Sequence, residues 1–201
     1  MYRMIKRGLD IICALAGGIA LSPLLVTLAL AIKLESSGPV LFQQRRIGKG
    51  KNPFYILKFR TMRTNAPKDT PTHLLESPEQ YITRVGRFLR RTSLDELPQL
   101  WNILVGQMSF VGPRPVLWNQ FDLIAARDTS GANDVRPGLT GWAQVNGRDA
   151  LSIAQKAALD GEYIRRMSFS FDCRCLFATV GSVRTGKGVV EGAKPPQEKQ
   201  L

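Results

Sequence analysis

Two adjacent carboxylates, Asp95 and Glu96, stand in the segment RRTSLDELPQLWN, residues 90–102. They follow a strongly basic stretch, since residues 45–91 hold twelve Lys or Arg and three Asp or Glu. This excess of cations, with a formal net charge of +12 over 201 residues, indicates a polyanionic partner: nucleic acid, anionic lipid head groups or phosphorylated small molecules. A carboxylate held among such cations would face phosphate groups, so these residue types favour chemistry at phosphorus.

The acidic pair falls at the predicted start of a helix. Apolar residues recur at helical spacing, at Leu94, Leu97, Leu100, Trp101 and Leu104. Ser93 followed by Glu96 matches a capping box, and for these residues alone this structural role explains the pair better than catalysis does. Pro98 leaves the exact start open: it would fall in the first turn if Asp95 is the cap, and would cost one hydrogen bond if Ser93 is. Either start places both carboxylates at the positive end of a helix, with Asp95 ionised.

Three arginines follow in segments rich in proline or glycine. SFVGPRPV, residues 109–116, fixes Arg114 between two prolines, so its guanidinium can meet a phosphate with little loss of entropy. VRPGLTGWAQVNGR, residues 135–148, has Arg136 and Arg148 near its ends. The glycines between them would let a ligand approach the backbone closely. Each segment alone is weak evidence, because Gly and Pro mostly form turns. Together they predict a basic, rigid site lined by Gly138, Gly141 and Gly147.

Two elements are predicted before the pair. Residues 39–62, PVLFQQRRIGKGKNPFYILKFRTM, predict two short strands around the turn at 48–50, with Lys58 and Arg60 on one face of the second strand. Residues 81–91, YITRVGRFLRR, predict a helix with one apolar face and with Arg90 among the arginines that project elsewhere. Such a helix suits a membrane interface, with its arginines among phosphates. An ordinary amphipathic core helix explains the segment equally well.

Residues 11–32, IICALAGGIALSPLLVTLALAI, carry no charge. As a helix they would measure roughly 33 Å, which is membrane length. A secretory signal peptide is disfavoured because the apolar run is too long and Asp10 stands at its start. Ser22 and Pro23 stand mid-run and would kink the helix, and Lys and Arg flank both ends, which favours one cytoplasmic side for both. A re-entrant helix broken at Ser22-Pro23 satisfies both observations, and a simple single span stays the alternative.

Other features narrow the function classes. Three cysteines cannot all pair, and Cys173 and Cys175 lack the spaced partners of a zinc site. The only histidine, His73, stands in the loop 64–80, and Ser-His-Asp catalysis, which would need it, is disfavoured. The long uncharged run and the lack of a recognisable nucleic-acid module argue against nucleic acid as a partner. A membrane-bound regulator or scaffold that only holds anionic lipid stays open as the alternative to an enzyme.

Three stretches, SLDELPQLWNILVGQMSFVGPRP, DVRPGLTGWAQVNGR and the N-terminal helix with its central Ser-Pro, resemble the catalytic domain of the bacterial monotopic phosphoglycosyl transferases, the bacterial sugar transferase family. The resemblance runs in order from about residue 4 to 183. It implies an enzyme at the bacterial cytoplasmic membrane, with its active site facing the cytoplasm. Such an enzyme transfers a phospho-sugar from a UDP-sugar to polyprenol (undecaprenyl) phosphate and releases UMP, the first membrane step of surface glycan synthesis.

The resemblance also implies roles for single residues. By position, Asp95 is the nucleophile that attacks the β-phosphorus, and Glu96, with Asp95, holds Mg²⁺. The charges of the diphosphate are assigned to Lys58, Arg60, Arg90, Arg114, Arg136 and Arg148. Asp160 matches a motif of the family without a defined role.

The expected fold class is α+β and mainly helical, with amphipathic interfacial helices and a small β-hairpin around a compact cytosolic catalytic unit. The expected division is a re-entrant membrane helix over residues 1–35, a catalytic domain over 36–184 and a polar, partly disordered tail over 185–201. Because the chain begins directly at the re-entrant segment, it is expected to be the minimal form of the family, in contact with membrane lipids.

Overall fold

The computed structural model describes residues 2–67, 75 and 77–185. Within these residues the protein is mainly helical, and two small sheets of two strands each complete the fold. A mainly helical chain with a small β-hairpin, as predicted from the sequence, is confirmed. His73 lies outside the described residues, and so does the expected tail except for Thr185, which ends the last helix.

Two helices at the N-terminus, α1 (Tyr2–Ala20) and α2 (Ser22–Glu35), meet at a bend of 62°. Pro23 has no backbone N–H to donate to the carbonyl of Ile19, four residues earlier. The Ser22 hydroxyl donates to that carbonyl instead, at 2.7 Å. The predicted break at Ser22 and Pro23 is therefore confirmed. In the described part of the chain no single helix is long and apolar enough to cross a membrane, whereas the bent pair meets both criteria together.

The predicted hairpin is present. Strands β1 (Leu41–Ile47) and β2 (Pro53–Phe59) pair antiparallel around a short 3₁₀ turn at Lys49–Lys51. Phe54 and Ile56 of β2 are buried in a cluster with Ala14 of α1, and Phe59 packs in a second cluster. Arg60 directly follows β2. The hairpin is thus held between the N-terminal helices and the elements that follow it.

The basic segment at 81–91 forms α3 (Arg84–Thr92), as predicted. The Thr83 side chain caps its start by accepting from the backbone N–H of Gly86 at 2.9 Å. Leu89 is fully buried beside Leu28 and Ile32 of α2, so one side of α3 packs against the core. Phe88, by contrast, is 55% exposed.

The predicted helix start at Ser93 is wrong. Ser93 has φ +56°, which closes α3 and excludes the extended backbone of an N-cap, and its side chain makes no capping hydrogen bond. Leu94–Glu96 form one 3₁₀ turn, and α4 (Gln99–Leu104) begins only after Pro98. The predicted apolar stripe is buried only in part, because Trp101 is 59% exposed. The capping box does not form, and neither carboxylate lies in the first turn of an α-helix.

The second half of the chain builds a small parallel sheet covered by helices. Strands β3 (Ser109–Val111) and β4 (Gly138–Thr140) pair in parallel. The helices are α5 (Phe121–Asp128), α6 (Trp142–Val145), α7 (Ile153–Arg166) and α8 (Phe169–Thr185). Val111 of β3 is buried with side chains of α7 and α8, namely Tyr163, Phe171 and Cys175.

Two of the glycines expected to admit a ligand instead admit another stretch of backbone. A Cβ atom at Gly138 or at Gly141 would collide with the main chain of Gly112, just after β3. The expectation that these glycines line a ligand site is therefore corrected. They allow the chain around β3 and β4 to pack closely, and a side chain at either position would push the two segments apart.

Candidate active site

The carboxylates of Asp95 and Glu96 lie beside the ammonium group of Lys58 from β2. Lys58 Nζ donates to Glu96 Oε1 at 2.7 Å and lies 3.8 Å from Asp95 Oδ2. Arg114 Nη2 lies 3.4 Å from the same Glu96 oxygen. Both acidic side chains are 13% exposed, so the pair is largely removed from water while one edge stays accessible.

The pair opens into a cavity of about 590 Å³, which we call the first cavity. This volume falls in the range of small-molecule sites, about 300–1,000 Å³. Cations from separate parts of the chain line it with the two carboxylates, among them Lys58, Arg90, Arg114 and Arg148. Apolar side chains of Phe42, Leu75 and Leu117 line it as well. The first cavity therefore offers positive charge for phosphates and apolar surface for the rest of a ligand.

The two carboxylates have opposite pKa shifts. Burial raises the pKa of Asp95 above its ordinary value, although Lys58 lowers it in part. Burial acts on Glu96 as well, yet Lys58 and Arg114 together hold the pKa of Glu96 well below its usual range. The helix terminus that was expected to favour the charged form of Asp95 is absent. The dominant influence on Asp95 is therefore loss of water rather than a helix dipole.

The two carboxylates also differ in their hydrogen bonds. Glu96 accepts from Lys58 and Arg114, whereas no described residue donates a hydrogen bond to the Asp95 carboxylate. Among the described residues Asp95 has only the longer ion pair with Lys58, at 3.8 Å, so its oxygens are less engaged than those of Glu96 and it is the better candidate for a nucleophile. The geometry thus separates two adjacent and chemically similar residues.

Arg114 is positioned by a buried ion pair that the sequence did not reveal. Arg127 of α5 donates from Nη1 to the carbonyl oxygen of Arg114 at 3.0 Å, and its Nη2 lies 2.6 Å from Asp160 Oδ2 of α7. Asp160 is 1% exposed and Arg127 is 4% exposed. Burial raises the pKa of Asp160, and Arg127 opposes that rise. Asp160 therefore supports the cavity wall from behind rather than lining it.

The remaining cations that were predicted to bind phosphate do not all have the same role in the structure. Arg90 and Arg148 line the first cavity, and their charges act on Asp95 and Glu96 respectively. Arg60 also lines it, but the residue is only 5% exposed and its guanidinium donates to the carbonyl oxygens of Ser36 and Ser37, at 2.7 Å each.

Arg136 does not join this group. It lines a different cavity and donates from Nε to the carbonyl oxygen of Gly106 at 2.8 Å. Sequence reasoning missed several cations that line the first cavity, among them Arg127 and Lys156. Lys156 of α7 lines the first cavity, and Arg127 supports it. Each stands in an ordinary helical segment, where no motif marked it.

The donor set at the acidic pair fits Mg²⁺. Mg²⁺ in proteins is held by one or two carboxylates and completes its shell with water and substrate phosphates. Asp95 and Glu96 supply two such carboxylates on one turn, and within the described residues no third acidic, His or Cys side chain joins them as a metal-binding group. The pair therefore suits a cation that arrives with a diphosphate rather than one enclosed by protein ligands alone.

Taken together, a buried carboxylate pair, surrounding Lys and Arg side chains and a cavity of ligand size define a site for chemistry on phosphate esters. A family model described as bacterial sugar transferase matches residues 1–186. This chain belongs to the bacterial sugar transferase family.

Three relatives give the extent of the likeness. A UDP-glucose:undecaprenyl-phosphate glucose-1-phosphate transferase of Escherichia coli (strain K12) is 43% identical over 185 residues, which cover 89% of this chain and 40% of the relative. A protein of the same name from Caulobacter vibrioides is 44% identical over 188 residues, or 90% of this chain and 70% of the relative. EpsL of Bacillus subtilis (strain 168), named an uncharacterized sugar transferase, is 38% identical and matches along 92% of this chain and 90% of its own length. The chain thus spans less than half the length of the first of these relatives.

Proposed function

We propose that this protein transfers a phospho-sugar from a UDP-sugar to polyprenol (undecaprenyl) phosphate and releases UMP. The observation that carries this proposal is the buried pair of Asp95 and Glu96 beside Lys58, in a cavity whose other cations suit a diphosphate. Membership of the bacterial sugar transferase family and the names of the relatives support the same reaction.

In the first step, a carboxylate oxygen of Asp95 attacks the β-phosphorus of the UDP-sugar. A bond forms between that oxygen and phosphorus, and the bond from phosphorus to the oxygen bridging the two phosphates breaks. UMP leaves with the electron pair of that bond, and the phospho-sugar stays on Asp95 as an acyl phosphate. Lys58 and Arg114 offset the charge that develops on the phosphoryl oxygens and on the leaving group.

In the second step, an oxygen of the polyprenol phosphate attacks the same phosphorus and displaces Asp95 as a free carboxylate. The acceptor needs no base, because a phosphate monoester with a second pKa near 6 is already largely ionised at neutral pH. The product is a polyprenol diphosphate sugar. The acceptor thus reacts in a separate step, after UMP has left.

Glu96, with Asp95, would hold Mg²⁺ against the diphosphate of the donor. The chemistry that the ion supplies when bound is neutralisation of charge on the phosphates and on departing UMP. Arg90 and Arg148 extend the positive lining of the first cavity. We assign Arg60 to holding the segment after α2 against the hairpin, because its bonds go to Ser36 and Ser37.

The test is a single-turnover experiment with a UDP-sugar labelled in the sugar. Enzyme, Mg²⁺ and donor without polyprenol phosphate should release about one UMP per active site and leave the label on the peptide that contains Asp95. Asp95→Asn should lose the label and the burst of UMP. A panel of UDP-sugars in the same assay identifies the donor.

Two results would contradict the proposal. A wild-type enzyme that turns over but releases no UMP until the lipid is added reacts by direct transfer, with Asp95 in another role. A folded protein that releases no UMP from any UDP-sugar, with or without lipid, favours the membrane-bound scaffold over the enzyme.

We also propose that α1 and α2 enter the cytoplasmic membrane and return to the same face. The bend at Ser22 and Pro23 and the exposed apolar side chains along both helices support this arrangement, among them Ile12, Leu15, Ile19, Val26 and Leu30. Tags at the two chain ends, probed in intact cells, should both report the cytoplasmic side. Opposite accessibility would mean a simple span, and Pro23→Ala should shift the protein toward that outcome.

A further inference from the structure

A second cavity, of about 90 Å³, lies beside the first turns of α1. Among the described residues none lines both cavities. Its cations come from α1, from the hairpin turn and from the segment before β4: Arg3, Lys6, Arg7, Lys49 and Arg136. Two carboxylates, Asp10 and Asp134, line it as well. This volume is several times the minimum that holds a water molecule, about 10–15 Å³.

The ion pairs and hydrogen bonds within this cavity do not neutralise all of its positive charge. Lys6 is matched by Asp172 of α8, whose carboxylate lies 2.6 Å from its ammonium. Asp10 accepts from the Ser109 hydroxyl and from the backbone N–H of Phe110, at 3.1 Å each. With Lys6 set aside, four cations face two carboxylates, and Asp134 is exposed to solvent.

Two of the arginines are held by the turn that ends α4. Arg7 donates to the carbonyl oxygens of Ile103 at 2.6 Å and Leu104 at 2.9 Å, and Arg136 donates from Nε to Gly106. Cations at a helix C-terminus stabilise it, and that structural role accounts for Arg7. It does not account for Arg136, whose two Nη atoms donate to no described residue, nor for Arg3 and Lys49 beside it.

We propose that this second cavity binds a phosphate-bearing anion, the headgroup of an anionic phospholipid. The guanidinium of Arg136 is held in place through Nε, so its two Nη atoms are available to donate to the oxygens of a phosphate. An anion there would offset the repulsion between neighbouring cations. The site does not depend on the transfer reaction, and none of its residues belongs to the first cavity.

The position on α1 favours a lipid over a soluble anion. Arg3, Lys6 and Arg7 directly precede the apolar part of α1, and Met4 and Ile5 between them are 75% and 53% exposed. If α1 enters the membrane, these cations lie at the headgroup level of the cytoplasmic face. Basic pockets beside membrane helices on that face bind anionic headgroups.

The experiment measures the Tm of the full chain in a neutral detergent. Short-chain phosphatidylglycerol, short-chain phosphatidylcholine and inorganic phosphate are titrated separately, because a ligand that binds the folded state raises its Tm as the ligand concentration rises above Kd. We expect the Tm to rise with the logarithm of phosphatidylglycerol concentration and to change little with phosphatidylcholine. Arg136→Gln should need roughly tenfold more phosphatidylglycerol, the effect of losing one charge-assisted hydrogen bond.

A double variant, Arg3→Gln with Lys49→Gln, makes the test independent of folding, because both side chains are exposed and neither makes a hydrogen bond within the described residues. It should weaken the phosphatidylglycerol response in the same way. Arg165→Gln on α7 is the matched control, an exposed arginine outside both cavities, and should respond as wild type.

Three other outcomes would contradict either the whole proposal or the assignment of the ligand to a lipid. If both cavity variants respond as Arg165→Gln does, the second cavity is not the binding site. If phosphate alone gives the full rise and the same variants lose it, the ligand is a soluble phosphate and the lipid assignment is wrong. An equal rise with phosphatidylcholine would mean that acyl chains, and not an anion, stabilise the protein.

Discussion

The two cavities are both lined by Lys and Arg, and they differ in what the acidic residues do. In the first cavity, Asp95 and Glu96 are buried together, and one of them accepts no hydrogen bond from the described residues. In the second, Asp10 is occupied by Ser109 and Phe110, and Asp134 is exposed. Positive charge alone therefore marks a place where phosphate can bind. The reaction we propose needs in addition a desolvated carboxylate that can attack phosphorus.

The largest effect on the rate of UMP release is expected from a comparison of two substitutions, one at a carboxylate of each cavity. Asp95→Asn should lower the rate of UMP release by on the order of 10³-fold or more, because the proposed nucleophile is lost. Asp134→Asn makes the same change of charge in the second cavity. Its rate of UMP release should stay within about twofold of the wild-type rate, because exposed substitutions outside a site generally have small effects. Equal losses in both variants would show that the net charge of the protein matters rather than a nucleophile.

Removal of divalent metal is expected to have the next largest effect. Excess chelator should abolish UMP release, and Mg²⁺ should restore it. Glu96→Gln should need more Mg²⁺ for half-maximal rate, because an amide is a neutral and poorer ligand for a hard cation. Lipid binding at the second cavity should be unchanged by the chelator. Full activity in chelator would contradict the assignment of Glu96 to the metal.

Substituting an arginine of the first cavity should weaken binding of the UDP-sugar donor more than substituting an arginine of the second cavity. Arg114→Gln should raise the KM for the UDP-sugar by about 10–100-fold, the cost of a charge-assisted hydrogen bond worth about 1.5–3 kcal/mol. Arg136→Gln should change that KM by much less, because its side chain lines the other cavity. Steady-state kinetics with one donor compare the two directly. A similar rise in both would place Arg136 at the diphosphate, as the sequence had suggested.

The last expected effect is on stability rather than on rate, and it concerns the support of the first cavity. Asp160→Asn leaves Arg127 as a buried cation without its partner, which typically costs about 3–5 kcal/mol. At about 2–4 °C per kcal/mol for a chain of this size, the Tm should fall by roughly 6–20 °C. Lys51→Gln, which breaks an exposed pair with Asp128, is the control and should leave the Tm unchanged. A normal Tm for Asp160→Asn would show that the pair does not hold the cavity wall.

Some features of the fold followed from the sequence because their causes are local. Pro23 lacks an N–H wherever the helix packs, so the bend could be placed to the residue, and the hydroxyl of Ser22 one position earlier supplies the missing donor. The hairpin followed from alternating strands around glycines 48 and 50. The start of α4 could not be predicted, because the left-handed backbone at Ser93 depends on how α3 ends against its neighbours.

The sequence by itself determined the residue types, the acidic pair within a basic chain, the membrane-length apolar segment and membership of the family. Only the tertiary structure decided which cations share a cavity with that pair. Arg136 precedes β4, whereas Arg148 follows α6. Strand β4 and helix α6 lie between them, and the two arginines line different cavities although they are only twelve positions apart in sequence. The distance between two residues along the chain does not determine which cavity each side chain lines, nor which groups shield it from water. Those two factors distinguish Asp95 from the other acidic residues.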